Sequence, residues 1–420
     1  MTTNLIHSTR NTQPSRNVVL VAIDWQKRGD GKTSLGIASI AATLKAAGIR
    51  YRLVEGTISD PEFCLEDLQS RIQWALDEMG PNTLLGFGVF VWNDEAVCDL
   101  LGKLTLPAGG RIVLGGPQVS YMPAGGLEAA YPQAHWFVRG AGENAMLRLA
   151  QGESLAQCGV HSAGQPDLAL QSELPLAGLP SPFVQGVVQM APEMRWETQR
   201  GCTFKCGFCQ HRDPDGRQPT RMFDLDRLAA EAQLFADHGV KRISILDPIF
   251  HTSDEHAIAV LNLLKQSGVT AQIALQCRFE MLTEAFLDAL DGLNVTLEFG
   301  LQTTSSSVSK LIQRHNNMPK VEEKLALVKQ RGIDFEVSLI YGLPTQTLEI
   351  FQASVEWCKR QEVPRVMAWP LMLLRGTPLY DQKARYGLRE SVGKAIPIVI
   401  ASNSFTETEY KAMADIAEAL

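Results

Sequence analysis

The stretch RGCTFKCGFCQHR (200–212) brings Cys202, Cys206 and Cys209 together in a chain that otherwise spreads its thiols widely. The spacing C-x3-C-x2-C puts three thiolates on one short loop. Three suffice for three corners of an iron-sulfur cubane and leave one iron without a protein ligand. Structural zinc normally takes four ligands, and His211 is the available fourth. It follows Cys209 by only two residues, and no second C-x2-C pair appears. Gly201 and Gly207 permit tight turns around a bulky inorganic core, and the aromatic Phe208 precedes the third cysteine. A cluster is therefore the stronger reading.

Outward from this loop, apolar runs alternate with helical patterns. RISILDP (242–248), TAQIALQCRFE (270–280), NVTLEFGLQ (294–302), DFEVSLIYGLP (334–344) and RVMAWPLMLL (365–374) read as strands. Helical stretches such as DLDRLAAEAQLFADHG (224–239) and PKVEEKLALVKQRG (319–332) separate them. With a short strand ahead of the cysteine loop, the count implies a partial (β/α)6 barrel over 195–400, whose strand ends present the active site. TETEYKAMADIAEAL (406–420) reads as an amphipathic helix, so 401–420 is assigned to a C-terminal helix.

On the amino-terminal side, NVVLVAID (17–24), YRLVEG (51–56), TLLGFGVFVWN (83–93), RIVLGGP (111–117) and HWFVRG (135–140) read as buried strands. SLGIASIAATLKAAG (34–48) reads as a helix with Gly48 past its end. This predicts a doubly wound, Rossmann-like α/β domain over 17–157, with a ligand crevice at the strands' carboxyl ends. Residues 1–16 read as a flexible tail and 158–194, with ELPLAGLPSPFVQG (173–186), as an ordered linker. GDGKTS (29–34) is no phosphate loop, because Gln26 stands where G-x4-G-K-[ST] needs its first glycine.

Composition limits the function classes. The chain has 420 residues, 45% hydrophobic and 20% charged, and a net charge of -7 without basic blocks. That gives no footprint for sequence-independent nucleic-acid binding. No apolar run approaches the ~20 residues of a membrane span, and MTTNLIHSTRNTQPSRN (1–17) has no apolar core of a signal peptide, so a cytoplasmic location is expected. Cys64, Cys98, Cys158, Cys277 and Cys358 stand alone and read as ordinary thiols.

RGCTFKCGFC (200–209) resembles the signature of the radical S-adenosylmethionine enzymes, C-x3-C-x-aromatic-C after the first strand of a partial barrel. The resemblance implies a 4Fe-4S cluster on Cys202, Cys206 and Cys209, with S-adenosylmethionine on the open iron and split by one electron to a 5′-deoxyadenosyl radical. It places S-adenosylmethionine against Phe208, against Asp247 in ILDPIF (245–250), and against Ile340 and Gly342 in SLIYGLPTQT (338–347). Glu298 and Gln302 in LEFGLQTT (297–304) are then ribose or methionine contacts, or else ordinary polar residues at a barrel mouth. A flavodoxin- or ferredoxin-type donor is the implied electron source.

The first half resembles the cobalamin-binding domain that precedes the radical domain in one subclass. TSLGIASIAATLKAAGI (33–49), GFGVFVWN (86–93), RIVLGGPQVSYMP (111–123) and FVRGAGENAM (137–146) carry this likeness. Related cobalamin domains read D-x-H-x-x-G at the first loop; here DWQKRG (24–29) puts Gln26 at the histidine position. A neutral amide is a poor cobalt ligand, so cobalamin is expected without histidine below the metal. Trp25, Gln26, Trp92, Gly115, Gly116, Gly140 and Glu143 are the expected cobalamin contacts.

Together these readings imply a cobalamin-dependent radical enzyme that methylates a small molecule in natural-product biosynthesis. One alternative drops methyl transfer for rearrangement or 3-amino-3-carboxypropyl transfer, as in arsinothricin-type biosynthesis, with the first domain as scaffold. A remoter one is a non-catalytic iron-sulfur or cobalamin-binding protein. Arg375, beside the barrel's sixth strand, is a candidate for binding a carboxylate or phosphate, and His211, Arg212 and Arg278 share that ambiguity.

Overall fold

The computed structural model describes residues 16–26, 31, 34–155, 158–211, 220–393 and 396–420. Most of the tail, the GDGKTS loop apart from Gly31 and Ser34, and Arg212 lie outside them.

The first sheet has strands β1 (Val18–Asp24), β2 (Tyr51–Thr57), β3 (Leu84–Gly88), β4 (Arg111–Gly115), β5 (Trp136–Val138) and β6 (Val160–Ser162). Their spatial order is β2-β1-β3-β4-β5-β6, parallel except for β6, which runs antiparallel along the edge. Val18–Ile23 are all buried because helices cover both faces, which is why β1 reads as an unbroken apolar run. Strand order reverses between β1 and β3, so their carboxyl ends flank the crevice where doubly wound sheets bind ligands.

The second sheet holds β7 (Glu193–Trp196), β8 (Arg242–Ile245), β9 (Gln272–Cys277), β10 (Asn294–Gln302), β11 (Asp334–Tyr341) and β12 (Val366–Pro370). All are parallel and in sequence order from β7 to β12, with no pairing between β7 and β12. This is the expected partial barrel, left open along one side.

Three local outcomes differ from the sequence reading. TLLGFGVFVWN stops being strand at Gly88, because the Asn93 amide donates to Gly88 O at 3.0 Å and to Ile23 O at 2.8 Å, bending the chain. The stretch read as a linker supplies β6 to the first sheet. Its Leu174, Leu176, Leu179 and Phe183 do not lie along a surface; they are buried in the core that contains Trp196 and Phe235. Phe183 meets Phe235 edge-on at 5.2 Å. Beyond the barrel, the helix Glu407–Glu418 is preceded by strand Val399–Ala401, and Thr406 with Glu409 forms its capping box.

Candidate active site

Two buried thiols, Cys202 and Cys206, and the half-buried Cys209 occupy the loop that follows β7. Gly207 locks this loop to the barrel: its N–H donates to Ile312 O at 2.7 Å and its C=O accepts from Leu379 N at 3.0 Å. A methyl group at Gly207 would stand 3.3 Å from Ile312 O, so the close approach favours glycine there. Burial raises the Cys202 thiol above its ordinary pKa and pushes Cys209 up to about 11. Such thiols become thiolates when a metal takes the proton's place.

The surroundings fit an anionic cluster. Arg314 is buried; its Nη1 lies 3.6 Å from Cys206 Sγ, its Nη2 donates to Gly300 O, and its Nε has no partner among the described residues. Arg278 lies 4.0 Å over the Phe204 ring and donates to His315 O at 3.0 Å. Burial and the nearby Arg314 lower the Arg278 pKa. Two like charges crowd the thiols, an arrangement that an anionic group relieves. Among the described residues no three His, Cys, Asp or Glu converge on a single-ion site. Thiolates of a cubane need not converge, since each binds a different iron. His211 is exposed.

The expected S-adenosylmethionine contacts divide. Phe208 is half-buried on the barrel core beside Cys209. At the end of β10 the register shifts between Gly300 and Gln302, and Gln302 adopts φ +70°. Glu298 on the same strand accepts from Gln276. Ile340 and Gly342 lie at the end of β11, where the fully buried Gln346 donates to Ile340 O at 3.1 Å and accepts from Leu343 N at 3.1 Å. Asp247 is placed differently from the expectation. It is enclosed, and its carboxylate accepts from Thr198 N, Thr198 Oγ1 and Gln199 N, so it ties the end of β8 to the approach to the cysteine loop. Burial pushes its pKa up to about 7, against the pull of those bonds.

The expected cobalamin contacts also divide. Trp25, Gln26 and Trp92 gather at the switch point. Trp92 stacks on Phe90 at 4.5 Å and donates to Ile23 O at 3.1 Å. The Gln26 backbone exchanges hydrogen bonds with Ser59, and its buried side-chain Nε2 has no partner among the described residues. Gly115 ends β4 close by. Gly116 and Gly140 are glycines for internal reasons. A methyl group would stand 2.7 Å from Val89 O at Gly116 and 2.7 Å from Ser172 O at Gly140.

Glu143 is buried and engaged within the protein. It accepts from Ser39 at 2.9 Å and from Arg200 at 2.7 Å, and Arg200 also grips Glu197. Arg375 is likewise engaged, with Asp94 at 3.4 Å, while its C=O accepts from Gln210 Nε2 at 2.9 Å.

These contacts reveal residues that sequence reasoning missed. The cysteine loop is clasped by the first domain at both ends: by Glu143 on Arg200 before it, and by Tyr121 OH on Gln210 O, 2.7 Å, after it. Tyr121 also packs on Gly376, where a methyl group would stand 2.5 Å from its ring. Arg195 of β7 reaches Asp24 and, at 3.3 Å, Trp25 O, so the switch-point loop and the barrel's first strand are joined. No motif marks Arg195 or Arg314, and Tyr121, though inside RIVLGGPQVSYMP (111–123), was given no role.

Residues 196–358 match the Radical SAM superfamily. The 2-(S-pantetheinyl)-carbapenam-3-carboxylate methyltransferase of Streptantibioticus cattleyicolor is 26% identical over 70% of this chain and 47% of its own length. The cobalamin-dependent radical SAM methyltransferase TokK of Streptomyces tokunonensis is 26% identical over 77% and 52%. The chain thus spans about half the length of these curated relatives. The structure of the radical S-adenosylmethionine methyltransferase TsrM from Kitasatospora setae, with cobalamin and a [4Fe-4S] cluster bound, superposes with a TM-score of 0.70 at 17% identity, covering 95% of this chain and 85% of that one. Residues 196–358 thus match a radical S-adenosylmethionine domain, and together with the doubly wound domain ahead of it the chain shares its overall fold with TsrM.

Proposed function

We propose that this chain is a cobalamin-dependent methyltransferase that acts on a small molecule of natural-product biosynthesis. One observation carries the reading: the ligand crevice of the first sheet is joined to β7 through Arg195, and the first domain clasps the cysteine loop at both ends. Such an arrangement sets two cofactor sites side by side, as sequential use of both requires. The names of the carbapenam methyltransferase and of TokK support the reaction class.

When bound, the cluster supplies the electron for reductive cleavage of S-adenosylmethionine, and cobalamin supplies a methyl carrier. Cys202, Cys206 and Cys209 hold the cluster, and Arg314 and Arg278 neutralise its charge. Phe208, Glu298, Gln302, Ile340 and Gly342 bound the S-adenosylmethionine site. Asp247 positions the strand leading into the cysteine loop. Trp25, Gln26, Trp92 and Gly115 would border the cobalamin site, where the Gln26 amide would be a donor for a polar group and the stacked Phe90–Trp92 pair would give an apolar wall.

The test is anaerobic reconstitution with iron, sulfide and hydroxocobalamin, then product analysis under reduction. Bound cobalamin without histidine-nitrogen coordination, with 5′-deoxyadenosine and S-adenosylhomocysteine formed together, is the expected result. Methylthioadenosine as the main product would move the assignment to aminocarboxypropyl transfer, and a cluster with no cobalamin affinity would reduce the first domain to a scaffold.

A further inference from the structure

We propose that Asn316 is a positioning residue for S-adenosylmethionine: it holds Gln302 in a strained turn that presents the Gln302 amide at the mouth of β10. The proposal rests on the reading of Gln302 as a boundary of the S-adenosylmethionine site under Proposed function. β10 ends in a conformation that its sequence does not favour. Gln302 closes the strand at φ +70°, a left-handed value that side chains other than Asn and Asp rarely adopt. Thr303 N donates to Leu301 O at 2.9 Å across it. A positive φ spanned by such a bond is the rarer and more strained of the two γ-turns, and it persists only where its surroundings hold it. Asn316 supplies the hold. Its Nδ2 donates at 2.9 Å to Leu301 O and at 2.9 Å to Thr303 O, the carbonyls on either side of Gln302. An extended strand spaces alternate carbonyls by about 6.7 Å, too far for one nitrogen to bond both.

The turn has a use for the side chain. The Gln302 amide lies over Gly300, where a methyl group would stand 2.5 Å from Nε2. Glycine at 300 is the room that the amide needs, which accounts for the spacing of Gly300 and Gln302 in LEFGLQTT (297–304). Gln302 is half-exposed and its amide makes no hydrogen bond among the described residues, so donor and acceptor are both open to a ligand's hydroxyl or carboxylate. Asn316 also fixes this amide relative to the thiols. It belongs to the segment 312–316, in which Ile312 O accepts from Gly207 N at 2.7 Å and Arg314 lies 3.6 Å from Cys206 Sγ. One short segment thus grips the cysteine loop and the end of β10 and sets the separation between them, as a ligand that must meet both requires.

The test is a double-mutant cycle with two readouts. In the first, the protein is melted without cofactors. Gln302→Gly removes the strain that Gln302→Ala keeps, so Q302G is expected to melt higher than Q302A, and Asn316→Ala, by releasing the turn, to shrink that difference. In the second, reconstituted proteins at matched iron content are titrated with S-adenosylmethionine by calorimetry, and the change it causes in the electron paramagnetic resonance of the reduced cluster is followed. N316A is expected to bind roughly tenfold more weakly, while Q302A/N316A binds no more weakly than Q302A. A general loosening of the fold would instead add to the loss in the double variant. Unchanged binding by N316A, additive losses, or an unchanged difference between the glycine and alanine variants would overturn the proposal and leave Gln302 as a contact. Where N316A does not fold, equal melting of Q302G and Q302A would overturn it by showing an unstrained turn. If Q302A binds as the unaltered protein does, the reading of Gln302 falls, and the proposal with it.

Discussion

At the scale of single residues, the three cysteines and Arg314 make the sharpest predictions. Replacing Cys202, Cys206 and Cys209 by alanine should bring iron content after reconstitution to background, read by iron analysis and electron paramagnetic resonance. Arg314→Met removes the cation 3.6 Å from Cys206 Sγ. The reduced cluster carries one more negative charge, so the midpoint potential should fall, by roughly 60 mV for a tenfold change in a one-electron equilibrium. Asp247 makes a pH prediction. Its folded pKa of about 7 stands above the ordinary aspartate value, about 4, so its contribution to stability is full below about 4 and is lost as pH rises through 7. The melting temperature of the unaltered protein minus that of Asp247→Asn should therefore decrease from pH 4 to pH 8. The cysteines were legible because covalent spacing alone fixes their proximity. The protein partners of Asp247 and Glu143, Thr198 at 49 residues' separation and Arg200 at 57, were not legible because they meet only when the chain folds.

At the scale of elements, the parallel strands were legible because strands buried on both faces must be continuous apolar runs, whereas the short antiparallel edge strand β6 was read as linker. Their carboxyl ends were not. The residues after β3 are as apolar as the strand, and only the turn drawn by the Asn93 amide separates them. The clasps on the cysteine loop belong to this scale. Tyr121→Phe deletes one hydrogen bond, worth about 1 kcal/mol. Glu143→Gln removes one of the two carboxylates that hold Arg200 and leaves Glu197, a loss of about 2 kcal/mol for a charged hydrogen bond. Both variants should keep the first domain folded while raising hydrogen exchange in residues 200–211. Equal protection in variant and parent would mean that the barrel alone sets the loop.

At the scale of the whole molecule, the stretch at 174–188 belongs energetically to the barrel. Leu174, Leu176, Leu179, Phe183 and Val188 are buried with Trp196, Phe223 and Phe235. A fragment beginning at residue 170 should stay soluble and melt cooperatively. One beginning at 190 should aggregate, because it bares the side chains those residues cover, as light scattering on heating would show. The sequence marked this stretch by its prolines and glycines; its apolar residues, spaced without period, gave no sign of what they pack against.

The packing of Tyr121 against Gly376 bears on how such proteins can recombine. A radical domain and a doubly wound domain look like interchangeable modules, yet the ring leaves no room for a methyl group at Gly376, and Glu143 lies buried against Arg200. A chimera that takes either half from a relative must bring a glycine opposite the tyrosine and an arginine opposite the glutamate. The two halves of this chain are therefore heritable only as a matched pair.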